Sequence, residues 1–553
     1  MEATSKPLRV FFSPCLYRGR RLLGAVAFLM LLPGLPARAD NPRQADKGEV
    51  NEVLTVKYAI NRICGHKENG QCTAWDEVKL RSYNGRLVGP TIEARPGDTL
   101  NILLDNQLPP EPMPESTSGS HDGPSGSHDT NTPHGFNTTN IHTHGLHVSP
   151  AGNSDNVMLA IGPGQKFQYE IKIPSDHPAG TYWYHAHKHG SVALQLASGM
   201  AGAVIIRGDI DKVPAIRAAK EQIFVFQQIP YLMTGDPYHP GQQANMVESY
   251  ELFGPGRWLT SGRRTTINGE FEPVLKMKPG EVQRWRFIHA GIRETIRPKL
   301  VRESDLEAVI LQHQIALDGI TTGRIEPVAV ADLQPGYRVD VMVQAGDVPE
   351  TYLLLDAASP ANQSLMGLAE PQSVLARVVV EGKKKQMELP EAAELLPLAP
   401  FAPIADEEIT GSQSVTFDIN LQHTPFLFTV NGQPFDPHAT PRQLKLGAVE
   451  EWIVSASPLI GHPFHIHVNP FQVMTENGPH VWKDTLFVER GTSVRIRTRY
   501  ERYIGKFVLH CHILDHEDQG MMEAVEIVPP STAHDSPHSA PGRSVPVGWQ
   551  GPL

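Results

Sequence analysis

Hydrophobic positions along this chain fall in short runs of period two. Lys506-Phe507-Val508-Leu509 leads into His510-Cys511-His512, and Phe167-Gln168-Tyr169-Glu170-Ile171-Lys172-Ile173 alternates apolar and polar residues. Residues 337–343 behave alike, and Gly or Pro turns separate such runs along the chain. This pattern predicts strands and an all-β sandwich or barrel class. Helical periodicity is confined to residues 191–197 and 217–222. The 48 prolines also disfavour long helices.

A weak repeat runs through the pattern. Asn84-Gly85 leads to Pro90 and Arg95-Pro96-Gly97-Asp98, Asn268-Gly269 to Pro273 and Lys278-Pro279-Gly280-Glu281, and Asn431-Gly432 to Pro434 and Lys445-Leu446-Gly447-Ala448. Each copy reads as a turn, a strand, a Gly-centred turn and a second strand. The intervals, 268 − 84 = 184 and 431 − 268 = 163 residues, are the size of a domain with insertions. The expected division is residues 45–210, 215–385 and 411–530, with a linker at 386–410 and a disordered tail at 531–553. Residues 109–133, rich in Pro, Gly, Ser and His, read as a mobile loop whose histidines, with His134, are solvated.

Composition adds a compartment. Arg18, Arg20 and Arg21 precede an apolar stretch at residues 22–32 and a small-x-small site at Ala37-Arg38-Ala39, the form of an export signal over residues 1–39. Arg20-Arg21 fits a twin-arginine signal or general secretion, and either delivers the chain to a periplasm or outside the cell. No stretch is long enough for a membrane span. Cys15 leaves with the signal; Cys64 and Cys72 predict a disulfide in an oxidising compartment, the alternative being two free thiols. A net charge of −11 gives no footprint for nucleic acid.

Chemistry concentrates at residues 510–521. On a strand, His510 and His512 share a face and Cys511 takes the other. His516 and Met521 follow a charged turn ending at Gly520 and can fold back beside Cys511. With one more imidazole, two His, a thiolate and a weak axial Met form a blue-copper set. Zinc accepts Cys and His, yet it has no redox chemistry and no use for Met. His462, three residues upstream of a His pair, can supply the missing ring.

Four His-x-His pairs stand in strand-like surroundings: His142/His144, His185/His187, His465/His467 and His510/His512. Eight imidazoles exceed what one ion takes, so the pairs predict a cluster of several ions. Two pairs lie in the first repeat and two in the third, which predicts a cluster between those repeats with the middle one as spacer. His239, His289 and His313 in the middle repeat read as structural or surface residues.

These motifs (His-x-His-Gly, His-x-His, His-x-x-His-x-His and His-Cys-His-x-x-x-His-x-x-x-x-Met) resemble those of the three-domain, laccase-like multicopper oxidases. The resemblance covers residues 53–528. It implies three cupredoxin-like Greek-key domains and four coppers. The implied type 1 ligands are His462, Cys511, His516 and axial Met521. The implied type 2 ligands are His142 and His465, and the type 3 pair takes His144, His185, His187, His467, His510 and His512. The implied activity is oxidation of a small reducing substrate coupled to reduction of O2 to water, by a monomer. Glu517 and Asp155 resemble the family's proton-relaying carboxylates, and Asp484 reads as structural. A phenolic substrate is expected over cuprous or ferrous ion, because the 14 methionines form no cluster between residues 343 and 471. A non-enzymatic relative with the same scaffold would have lost ligands, and this chain keeps them all.

Overall fold

The computed structural model describes residues 48–530 except 69, 112–129, 232–257, 259–260, 362–363, 365–366, 440 and 476–479. The expected signal at 1–39, most of the 109–133 insertion, His239 and the 531–553 tail lie outside the described residues. Among the described residues, six sheets face one another in three pairs, of four and four, seven and five, and six and five strands. Each pair encloses its own apolar core. Ile102, Leu104 and Tyr182 lie in the first, Trp285 and Phe287 in the second, Trp452 and Phe464 in the third.

The turns explain why the three pairs look alike. Asn84, Asn268 and Asn431 have φ of 55°, 53° and 53°, and the glycines after them 79°, 83° and 78°, the left-handed pair that a tight hairpin turn needs. Each Asn side chain also bonds the neighbouring strand: the N–H groups of Thr55, Val225 and Thr416 donate to Asn84, Asn268 and Asn431 Oδ1 at 2.8, 2.9 and 2.9 Å. At the second turn Gly97, Gly280 and Gly447 again have positive φ. There the chain crosses between sheets. Ile92–Ala94, Val274–Met277 and Arg442–Lys445 each pair in parallel with the last strand of their repeat. Thr99–Asn106, Val282–His289 and Val449–Ala456 pair in parallel with its first strand, in the facing sheet.

Helix is scarce, as the pattern implies. Val192–Ala197 is a helix. The expected helix at 217–222 is corrected: the helix is Pro214–Ala218, and Lys220–Ile229 is a strand paired with Val282–His289. Pairing inside a large sheet overrides the local preference of Lys220-Glu221-Gln222. The segment before the third repeat is packed. Its Ala392–Leu395 helix buries Leu395 among Ile210, Ile216 and Met342.

Cys64 and Cys72 form the expected disulfide near the tip of the hairpin Glu49–Glu68/Gln71–Tyr83. That tip reaches the middle sheets, where Arg264 donates to the Gly65 carbonyl at 2.8 Å and Tyr231 to Asp76 at 2.7 Å. Strand Gly180–His185 is tied to the middle repeat by Thr181, which donates to Asp340 at 2.5 Å and accepts from Arg286 at 2.7 Å. Among the described residues no helix is long and apolar enough to cross a membrane.

Candidate metal centre

Strand pairing assembles the histidines. His142–His144 runs antiparallel to Gly180–His185, which sets His142 opposite His185. His462–Ile466 runs antiparallel to Gly505–Cys511, which sets His465 opposite His510 and Phe464 opposite Cys511. The two sets then meet. The His142 and His467 rings stack at 3.8 Å, as do those of His144 and His465. All eight paired histidines are at most 2% exposed.

Their nitrogens are arranged for a cation. Three groups have ligand atoms within 4.8 Å of one another: His142/His144/His185, His142/His465/His467 and His187/His467/His510. One ring nitrogen of most members is engaged, and the other points at the cluster. His142 Nδ1 lies 3.0 Å from Asp155 Oδ2, His185 Nδ1 donates to the Ala186 carbonyl at 3.0 Å, and His465 Nδ1 donates to the Asp484 carbonyl at 2.7 Å. The remaining nitrogens, His142 Nε2, His185 Nε2 and His465 Nε2, are buried without a hydrogen-bond partner. So are His144 Nδ1, His467 Nδ1 and both nitrogens of His512. His510 gives its proton to the Cys511 carbonyl at 3.0 Å, so its Nε2 presents a lone pair 3.3 Å from the Nε2 atoms of His187 and His467. Orphaned acceptors facing inward in a buried site fit metal ligation.

Electrostatics agrees with that fit. Burial, reinforced by neighbouring histidines, drives the pKa of His142, His144, His467 and His512 well below the ordinary value. Burial takes His187 and His510 to about 4 and His465 to about 3. The rings are therefore neutral at pH 7, the form that binds metal.

A second group lies on the other face of the same strand. His462, Cys511 and His516 are buried, with His462 Nδ1 3.4 Å and His516 Nδ1 4.0 Å from the Cys511 sulfur. The Ile513 N–H donates to that sulfur at 3.4 Å. Burial pushes the Cys511 thiol well up, so a thiolate here needs a cation beside it. Met521 is buried in the same apolar cluster, and its carbonyl accepts from the Cys511 N–H at 3.1 Å.

Carboxylates surround the imidazoles. Glu517 is fully buried, with Oε2 3.0 Å from His510 Nδ1 and Oε1 3.5 Å from His187 Nδ1. Because His510 directs its proton to the Cys511 carbonyl, both Glu517 oxygens lack a hydrogen bond. Burial raises its pKa to about 7. Asp155, also buried, accepts the Thr143 N–H at 2.8 Å, and burial raises it to about 7 against that bond.

In the sequence Asp484 reads as structural, and nothing there marks Arg338 or Asp318. All three are buried beside the cluster. Asp484 Oδ1 lies 3.2 Å from His144 Nε2, and Arg338 of the middle repeat binds both Asp484 oxygens, one at 2.8 Å. Asp318 receives Lys483 at 3.0 Å and the Arg338 N–H at 3.1 Å. The middle repeat thus braces the clustered histidines through Asp484. The Trp482-Lys483-Asp484-Thr485 segment was the one available signal. His289 is structural, donating to the Glu294 carbonyl at 2.9 Å. His134 donates its backbone N–H to the Gly190 carbonyl at 2.8 Å.

Known proteins carry the same architecture. Residues 130–210 and 408–531 each match a multicopper oxidase family profile. A laccase of Bacillus stratosphericus is 27% identical, covering 82% of this chain and 91% of its own. Two solved structures share the fold. One is a multicopper oxidase from Campylobacter jejuni described as a metallo-oxidase, at TM-score 0.64, 23% identity and coverage of 88% and 93%. The other is a laccase from Pediococcus acidilactici, at TM-score 0.66, 22% identity and coverage of 90% and 94%. The paired imidazoles, the sulfur site behind them and these matches together assign the chain to the laccase-like multicopper oxidase family, copper-dependent oxidoreductases that use O2.

Proposed function

We propose that this protein oxidises a small reducing substrate, phenolic in class, one electron at a time at the Cys511 site and passes the electrons to O2 at the histidine cluster. Four coppers fit the donor set. His462, Cys511 and His516, with Met521 beside them, would hold the type 1 ion, and His142 and His465 the type 2 ion. His144, His185, His187, His467, His510 and His512 would hold the type 3 pair. Bound there, copper supplies one-electron chemistry at the sulfur and four-electron reduction of O2 to water at the cluster.

The observation that carries this reading is the position of Cys511 between His510 and His512, with the thiol in the apolar cluster of Phe464 and Met521 and both imidazoles among the other six. Short covalent connection through one strand gives electrons a direct route between two sites. Glu517 and Asp155 supply protons in this reading, because each touches a ligand ring and titrates near pH 7. The three sheet pairs support division into domains at 45–210, 215–385 and 411–530. The disulfide supports export to an oxidising compartment. A monomer completes the proposal.

Metal ions are the second reading, favoured by the Campylobacter relative's description as a metallo-oxidase. The scattered methionines argue for the phenol. Turnover of a methoxyphenol against that of cuprous ion, with and without added copper, separates the two. Replacing Cys511→Ser should abolish the blue absorption band and substrate oxidation together; a band that persists overturns the assignment.

A further inference from the structure

The helix Leu514–Asp518 carries four buried polar side chains in succession, and each faces a different part of the molecule. His516 turns to the Cys511 sulfur, Glu517 to His187 and His510, and Asp515 to the Arg293 guanidinium of the middle repeat at 3.0 Å. Asp518 turns to the first repeat. Its Oδ1 accepts the backbone N–H groups of Gly190 at 2.7 Å and Val192 at 3.1 Å, and its Oδ2 that of Ala193 at 2.8 Å. None of these three residues is a candidate ligand.

We propose that Asp518 is a positioning residue for oxygen reduction, setting the gap between the Glu517 carboxyl and the His187 ring. The proposal rests on the reading of Glu517 as a proton relay. Glu517 and Asp518 are adjacent on one short helix, and His187 and Gly190 are three residues apart in the short connection between strand Gly180–His185 and helix Val192–Ala197. Fixing 518 to the turn therefore fixes 517 to His187, across a contact between residues 330 positions apart (517 − 187 = 330). Three charge-assisted bonds from backbone give the carboxylate a firmer grip than a side-chain pair, since the donors are backbone N–H groups that cannot swing away. A cap that merely stabilises the Val192–Ala197 helix would act independently of Glu517.

A double-mutant cycle separates these roles. The full-length, copper-loaded enzyme is reduced and its reoxidation by O2 followed for wild type, Glu517→Gln, Asp518→Ala and the double variant. Each single change should slow reoxidation about tenfold, while the double falls within about twofold of Glu517→Gln. The blue band and its rate of reduction by substrate should not move. Equal slowing by Asp518→Ala in both backgrounds, or none in either, overturns the positioning role. If Glu517→Gln alone changes nothing, the relay reading itself fails. Asp518→Asn, which keeps one acceptor oxygen, serves in the same cycle if the alanine variant does not load copper. Hydrogen exchange at residues 190–193 gives a readout apart from activity, and it should accelerate in either Asp518 variant; unchanged exchange counts against the clamp.

Discussion

Glu294 has the backbone of a residue under constraint, with φ of 68° and 2% exposure. The Ser364 hydroxyl donates to its Oε1 at 2.9 Å, and its Oε2 has no partner. Burial, with the Glu370 charge adding to it, raises its pKa from 4.5 to about 7. A raised acid favours the folded state only while protonated. Its contribution is complete below the unfolded value and disappears as pH rises toward 7. Glu294→Gln keeps the Ser364 bond and removes the titration. The unfolding free energy of that variant should therefore fall less between pH 4.5 and 7, and above pH 7 it should exceed that of wild type by roughly 1–3 kcal/mol. Parallel curves of that free energy against pH for the two proteins would refute this account. Asp356, also raised to about 7 by burial, keeps some of the slope in the variant.

At the level of strands and turns, two glycines of different repeats, Gly180 and Gly319, press together. A Cβ on Gly180 would lie 1.7 Å from the Gly319 carbonyl oxygen, which is backbone and cannot swing aside. Gly180→Ala should cost about 1–3 kcal/mol and disturb the strand that ends at His185. Gly411→Ala first meets the Glu450 carboxylate, the far end of a side chain, and should cost less than about 1 kcal/mol. Equal denaturant midpoints for the two variants would contradict this ranking. Turns of this kind were partly legible in sequence. Asn84-Gly85, Asn268-Gly269 and Asn431-Gly432 stand out because only such residues accept positive φ cheaply. The His-x-His pairs stand out because a period of two is written in adjacent residues. Arg338, Arg293 and Asp518 do not stand out. Their partners are 146, 222 and 328 residues away, and a single charged residue carries no period. Lys220-Glu221-Gln222 misled for a related reason, since its fate depends on Val282–His289, far along the chain.

Across the whole molecule, the ends of the chain meet at the histidines while the middle braces them. Four imidazoles come from each terminal repeat, and among the described residues the middle one contributes Arg338 and Arg293 but no ring to the cluster. Copper held there would bind across two repeats that are otherwise far apart in sequence. Ligand binding to the folded state alone stabilises it by about 2.7 kcal/mol at one hundred times the dissociation constant. Chelating the copper should therefore lower the unfolding temperature without unfolding the chain, because the neutral imidazoles remain packed and the Arg338–Asp484 pair needs no metal. The loss should also be uneven. Hydrogen exchange should rise at residues 142–144, 185–187, 465–467 and 510–512, while strands Val282–His289 and Arg338–Gln344 keep their protection. A uniform rise over all three repeats would mean that copper stabilises the molecule as one block, and the division of labour between ligand-bearing ends and bracing middle would fall.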